Sequence, residues 1–280
     1  GEPSFRVVIL HILFNCSLIV AFAGFVDPLA RWLANFFVEA AKPADDLAPK
    51  YIPDKDRVAE ANDPFPVTAL SREVLRILGT LQQMLETTLD MLITGKLENA
   101  QEIARMEEKV NLLFKAVRAY AVNLTRSGID DGDQRKVTAL LRYTASLENS
   151  GDVVCKTMVG IPEAMKREGK QFSEDGKEEL NTLFRYLLGS AQLAAEVIMS
   201  WRPESAGILV QRKRDFKRMC QHSSRQHIWR LSNDVSNALA SSSAHLDLIA
   251  DLRWLNTQIS SIGYDVLPDN EDSGDGFSGH

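Results

Sequence analysis

Leu248, Leu252, Leu255, Ile259 and Ile262 recur at alternating steps of four and three within SSSAHLDLIADLRWLNTQISSI (residues 241–262), which draws one apolar stripe along a helix. A stripe of that kind needs partner helices to cover it. Asp247 and Asp251 flank it four residues apart, so their carboxylates lie one turn from each other at the stripe's edge. Such a pair repels itself unless a cation or a basic side chain stands between. The same unit occurs earlier, where Glu148 and Asp152 follow Leu140, Leu141, Thr144 and Leu147 in LLRYTASLENSGDVV.

The chain between and before these units is helical in pattern. Leu70, Val74, Ile77, Leu81, Met84, Thr88 and Met91 step by four and three, and so do Ile103, Met106, Val110, Leu113, Val117, Tyr120 and Leu124, with a break near Gly95. A third helix is expected from about Asp133 to Glu168, with acids at its start and a break near Gly160-Ile161-Pro162. Ser173 opens a second set as a cap, and Leu180, Leu183, Leu187, Ser190, Ala194, Val197 and Trp201 form the next stripe. Arg202-Pro203 separates it from a helix through Phe216 and Met219, which has the poorest pattern. Three helices followed by three helices, each set ending on an acid pair, predict an internal repeat of roughly 90 to 100 residues. The fold class is all-α: two three-helix bundles over residues 67–168 and 173–267.

Residues 7–26, VVILHILFNCSLIVAFAGFV, hold no Asp, Glu, Lys or Arg. About 20 residues rising 1.5 Å each match a hydrocarbon layer of ~30 Å, so one transmembrane helix is expected here. A signal peptide competes, because Arg6 precedes the run and Ala21-Phe22-Ala23 resembles a cleavage site, although the run is long for one. His11 and Asn15 stand four apart on one face, which fits an interhelix hydrogen bond or a polar transport path in a multi-helix bundle. Asp27-Pro28 ends the run, and 29–41 with Trp32, Phe36 and Phe37 reads as an interfacial helix or as a continuation of the span past a Pro break, completing a terminal membrane segment over 1–41. Residues 42–66 carry five prolines and read as a linker, and the acidic, glycine-rich 268–280 reads as a disordered tail.

Several functions are disfavoured. A formal net charge of −6 and a pI near 5.5 argue against nucleic acid as a partner. The basic run QRKRDFKR (211–218) is a solvated face or a contact for anionic headgroups. Cys16, Cys155 and Cys220 are odd in number and form no CxxC pair, which fits a reducing compartment. His222, His227 and His245 make no HExxH or other compact ligand set and read as surface or satisfied histidines. No glycine-rich phosphate loop, nucleophile elbow or Cys/His constellation is present, so the chain does not read as an enzyme.

Three stretches carry a resemblance. LENSGD (147–152) resembles the LERIGD-type motif of PhoU, the bacterial phosphate regulator. HLDLIADLRWLN (245–256) resembles its second-repeat counterpart in PhoU-like domains fused to sodium/phosphate cotransporters, and HILFN (11–15) resembles an H-x-x-F-N run in the last core helix of that Na/Pi-cotransporter II-like family. The resemblance spans nearly all of residues 5–267. It implies the C-terminal part of a sodium-dependent inorganic phosphate transporter of the bacterial inner membrane, multi-pass in full length, whose cytoplasmic PhoU-like domain regulates flux. Phosphate, sodium, the membrane and a second copy in a homodimer are the partners it implies. The family's QSSS-type signatures are absent, so its transport residues are not carried over.

Two carboxylates one turn apart, joined by oxygens of a neighbouring helix, can hold a hard or borderline cation. The resemblance implies a multinuclear metal site, iron or zinc, at Glu148, Asp152, Asp247 and Asp251. The helix-two counterpart is Glu107 to Asn111, where an amide replaces the expected second acid. The plainer reading is ion pairing with Arg142, Arg253 or Lys156. Two rivals for the whole chain are a membrane-tethered PhoU-like regulator of a separate transporter, and a helical signalling protein that binds no metal.

Overall fold

A computed structural model of the chain describes residues 11–15, 17–18, 47–53, 65–233 and 239–268, the side chains of 229–242 excepted. Contacts divide the chain into two units, Gly1–Ala48 and Pro49–His280. In the first, residues 11–15 and 17–18 are helical with exposed side chains. Most of the expected transmembrane run, the interfacial helix and nearly all of the tail lie outside the described residues. No described helix is long and apolar enough to cross a membrane.

The second unit is built from α1 (Pro66–Thr94), α2 (Ala100–Arg126), α3 (Asp131–Val153), α4 (Gly160–Arg167), α5 (Glu174–Ser200), α6 (Pro203–Asn233), α7 (Leu239–Ile259) and α8 (Ile262–Val266). The helix boundaries follow local chemistry. Gly95 ends α1 in the left-handed conformation at φ 71°, its amide returning to the carbonyl of Met91. The Asp130 side chain accepts from the amide of Asp133 to start α3, and Ser173 accepts from Gly176 to start α5. Trp201 closes α5 at φ 51°, and Pro203 opens α6, where its missing amide costs nothing.

Every stripe residue of α1 from Leu70 to Met91 is buried, as are Leu248, Leu252, Leu255, Ile259 and Ile262 at the other end of the chain. In each set of three long helices every helix touches the other two, α1–α2–α3 and α5–α6–α7. The sets meet first helix to first (α1 on α5) and third to third (α3 on α7). Burying these faces against one another supplies most of the folding drive, since each buried Leu or Ile contributes about 1.5 to 3 kcal/mol. At the junction the Tyr143 hydroxyl donates to the carbonyl of Ile259 at 3.0 Å in a buried setting, and Arg142 pairs with Asp265 on α8.

Two features depart from the sequence reading. The third helix changes pitch before it breaks: Val154–Met158 is a π-turn in which the Val159 amide bonds the carbonyl of Val154 at 3.2 Å. Pro162 has no amide to offer the carbonyl of Met158, and the ladder loosens just ahead of it. The stretch read as a linker is anchored where it is described. Glu73, fully buried, accepts the backbone amides of Lys50 and Tyr51 at 3.1 and 2.9 Å and pairs with Arg76. Ile52 is buried beside it, and Arg72 lies 5.6 Å from the centre of the Tyr51 ring.

Candidate functional site

The acid pairs sit in two separate settings. In the first bundle, Ser150 and Gly151 of the LENSGD motif face the core, with Gly151 against Val110 and Met84, which leaves Glu148 and Asp152 half-buried at the edge. Glu107 and Asn111 of α2 are also half-buried, and the Asn111 amide donates to Glu107. Burial, then Asp152, raises the Glu148 carboxyl above the usual range, with Glu107 adding to it and Lys156 opposing. Lys156, carried by the π-turn, donates to Asp152 at 2.6 Å. The ion pair foreseen for Lys156 therefore exists, and part of the anionic charge is already met. Arg142 pairs with Asp265 and not with these acids.

In the second bundle, Asp247 is exposed and receives the Ser243 hydroxyl at 3.5 Å. Asp251 is half-buried, and its Oδ2 is buried without a hydrogen bond from any described residue. Burial first and Asp247 second lift its carboxyl above the usual range. Of the four acids, Asp251 is thus the one with a buried oxygen that meets no hydrogen-bond donor among the described residues. Glu148 feels Asp152, Lys156 and Glu107, while Asp251 feels Asp247, so each pair forms an anionic notch on its own helix, α3 or α7. Donor chemistry in each, carboxylate oxygen only, fits a hard or borderline cation.

Beside the second notch α6 and α7 leave a cavity of about 300 Å³ lined by Cys220, Gln221, Ser224, Arg225, Ile249 and Arg253 among others. Burial pushes the Cys220 thiol up to about 12, and burial also raises Cys155, so neither is poised as a thiolate. The basic run is partly spent within the molecule. Arg212 lies across α5, donating to Ser190 Oγ at 3.1 Å and to the carbonyl of Tyr186 at 2.9 Å, 3.8 Å above the Tyr186 ring. Lys213 donates to the Tyr264 hydroxyl, and Arg218 pairs with Asp215. His11 and Asn15 are exposed in the first unit, where the Asn15 amide turns back to the carbonyl of His11 at 2.8 Å.

One reading is corrected. His227 and His245 do form a compact set, with Glu179: their rings stack 4.6 Å apart, and Glu179 Oε2 lies 3.0 Å from His245 Nε2. Glu179 is on α5, His227 on α6 and His245 on α7, so no local motif could reveal them. The available signal was position, because His245 falls three residues before Leu248 on the buried stripe.

Comparison with known proteins agrees with this architecture. A PhoU domain profile matches residues 74–158. The chain is 27% identical over 273 residues to the protein named "Putative inorganic phosphate export protein YjbB" of Escherichia coli O157:H7, covering 97% of this chain and 50% of that one. The Salmonella typhimurium protein of the same name is 26% identical over 268 residues, 95% of this chain and 49% of its own. The chain thus spans about half the length of the curated relatives it matches. Among solved structures, PhoU from Pseudomonas aeruginosa superposes with a TM-score of 0.65 at 16% identity, covering 72% of this chain and 95% of that one. The phosphate transport system regulatory protein PhoU from Streptococcus pneumoniae gives 0.64 at 17%, covering 71% and 92%. These names describe transport and regulation, not catalysis. The chain is PhoU-like: it has the fold of PhoU, a PhoU domain profile matches residues 74–158, and nearly its whole length is similar in sequence to YjbB of enteric bacteria.

Proposed function

We propose that this chain is the regulatory, PhoU-like half of a bacterial inorganic phosphate transport protein. The observation that carries the reading is the match of 97% of the chain to half of a protein named for phosphate export. In this reading residues 1–41 contribute the last membrane helix of a multi-pass inner-membrane transporter, and 67–267 form a cytoplasmic body, as a homodimer or not, that tunes flux. HILFN supports placing the transport half in the sodium-coupled cotransporter class, with His11 and Asn15 near the transport path.

Metal is part of the proposal at the acid notches, with iron or zinc as the ion. Asp247 and Asp251 are the better pair, because Asp251 Oδ2 is buried and meets no donor among the described residues, whereas Lys156 already meets Asp152. A cation or phosphate level that alters these notches would shift the body between populations that release or restrain the transport half.

The test uses cells expressing the complete gene and radiolabelled phosphate. Removing 67–267, or replacing Asp247 and Asp251 with Asn, is expected to change phosphate flux severalfold while protein abundance holds, and flux should depend on external sodium. Unchanged flux in both variants would sink the regulatory reading. Flux that persists without the membrane half, by way of another transporter, would favour the membrane-tethered regulator instead.

A further inference from the structure

Glu179 near the start of α5, His227 late in α6 and His245 near the start of α7 bring three ligand-bearing side chains to one end of the second bundle. One ligand atom from each lies within 4.8 Å of the other two. The setting is enclosed: His245 is 1% exposed, and the Glu179 side chain 14%. It is also braced, because the His245 ring lies 3.6 Å from where a Cβ on Gly176 would be, and Phe172 meets it edge-on at 5.8 Å. Gly176 gives that ring room, and the first turn of α5 is fixed by Ser173.

The geometry points to a single-ion site for a borderline divalent metal, zinc above all, held by Glu179, His227 and His245. Two imidazoles and one carboxylate suit zinc and its first-row neighbours, while calcium and magnesium prefer oxygen alone. Tetrahedral zinc at 2.0 to 2.2 Å from each ligand separates the ligand atoms by about 3.4 Å. The 3.0 Å between His245 Nε2 and Glu179 Oε2 is already near that, so closing the site asks for a small turn of the half-buried His227 ring. Three protein ligands leave a fourth position for water or an outside oxygen. This site is chemically unlike the two all-carboxylate notches and stands whether or not they bind metal. It would clamp the ends of three helices together.

The test titrates the chelator-stripped full chain with cobalt(II), followed by visible absorption, and then competes zinc against it. The wild-type protein is expected to show the intense band of four-coordinate cobalt at about one equivalent. His227→Asn and Glu179→Gln should each weaken binding at least about tenfold, while the Asp247→Asn/Asp251→Asn double variant keeps the band. Far-ultraviolet circular dichroism checks that the variants fold, and X-ray absorption on the wild-type zinc protein should show two imidazoles. Absence of the band, equal affinity in His227→Asn and Glu179→Gln, or a spectrum without imidazole would each overturn the site.

Discussion

At the scale of single residues, the buried Glu73 and the half-buried Asp251 behave in opposite ways. Glu73 is satisfied by two backbone amides and Arg76, so Glu73→Ala should cost about 2 to 4 kcal/mol in denaturant unfolding, and hydrogen exchange at 50–53 should rise. Glu73→Gln keeps one acceptor oxygen and should cost less than half as much. Asp251 Oδ2 meets no donor among the described residues. Its carboxyl is raised above the ordinary 3.8, so the folded state holds the proton more readily than the unfolded chain. The stability this group contributes is present below that ordinary value and is lost as pH rises through the raised one. In chelator, Asp251→Asn should therefore be more stable than wild type near about pH 7, with the advantage gone by about pH 3. With a bound cation the sign at neutral pH reverses, which the same denaturation curves with added zinc or iron would show. The placing of Asp251 one turn from Asp247 was legible in the sequence from their four-residue spacing; the Glu73 anchor was not, because nothing in a proline-rich stretch announces that its amides will find a carboxylate.

At the scale of elements, the stripes predicted where helices pack, since a period near 3.6 is a direct consequence of one covered face. What escaped was the pitch change at Val154–Met158, which arises from the missing amide at Pro162 and is not a matter of polarity. The cluster of Glu179, His227 and His245 escaped for a related reason: periodicity assigns a residue to a face, and only the packing of three helices says which faces share an end. The α5–α6 contact has its own test. A Cβ on Gly189 would lie 2.5 Å from Arg212 Nη2, so alanine there gains helix propensity but displaces the guanidinium from Tyr186. Gly189→Ala should be close to neutral in wild type and stabilising by about 1 kcal/mol when Arg212 is already Ala, a coupling that a double-mutant cycle measures.

At the scale of the whole molecule, two sets of three helices build the second unit, with α1 meeting α5 and α3 meeting α7 across the junction. Tyr143 is the polar stitch there, and Tyr143→Phe leaves the carbonyl of Ile259 buried without its donor. A loss of about 1 to 2 kcal/mol is expected, with exchange quickening at the C-terminal end of α7 before it does in α1. The two sets of helices were legible from their stripes and the breaks between them; the junction was not, since nothing in the sequence marks Tyr143 as reaching the carbonyl of Ile259. The anchored segment at 49–53 has a mechanical consequence. A pull delivered along the backbone from residue 48 would load the amides of Lys50 and Tyr51 on Glu73 before it loaded any helix-to-helix contact. That segment would peel away first, so the N-terminal end of α1 takes the load only after this short fuse has given.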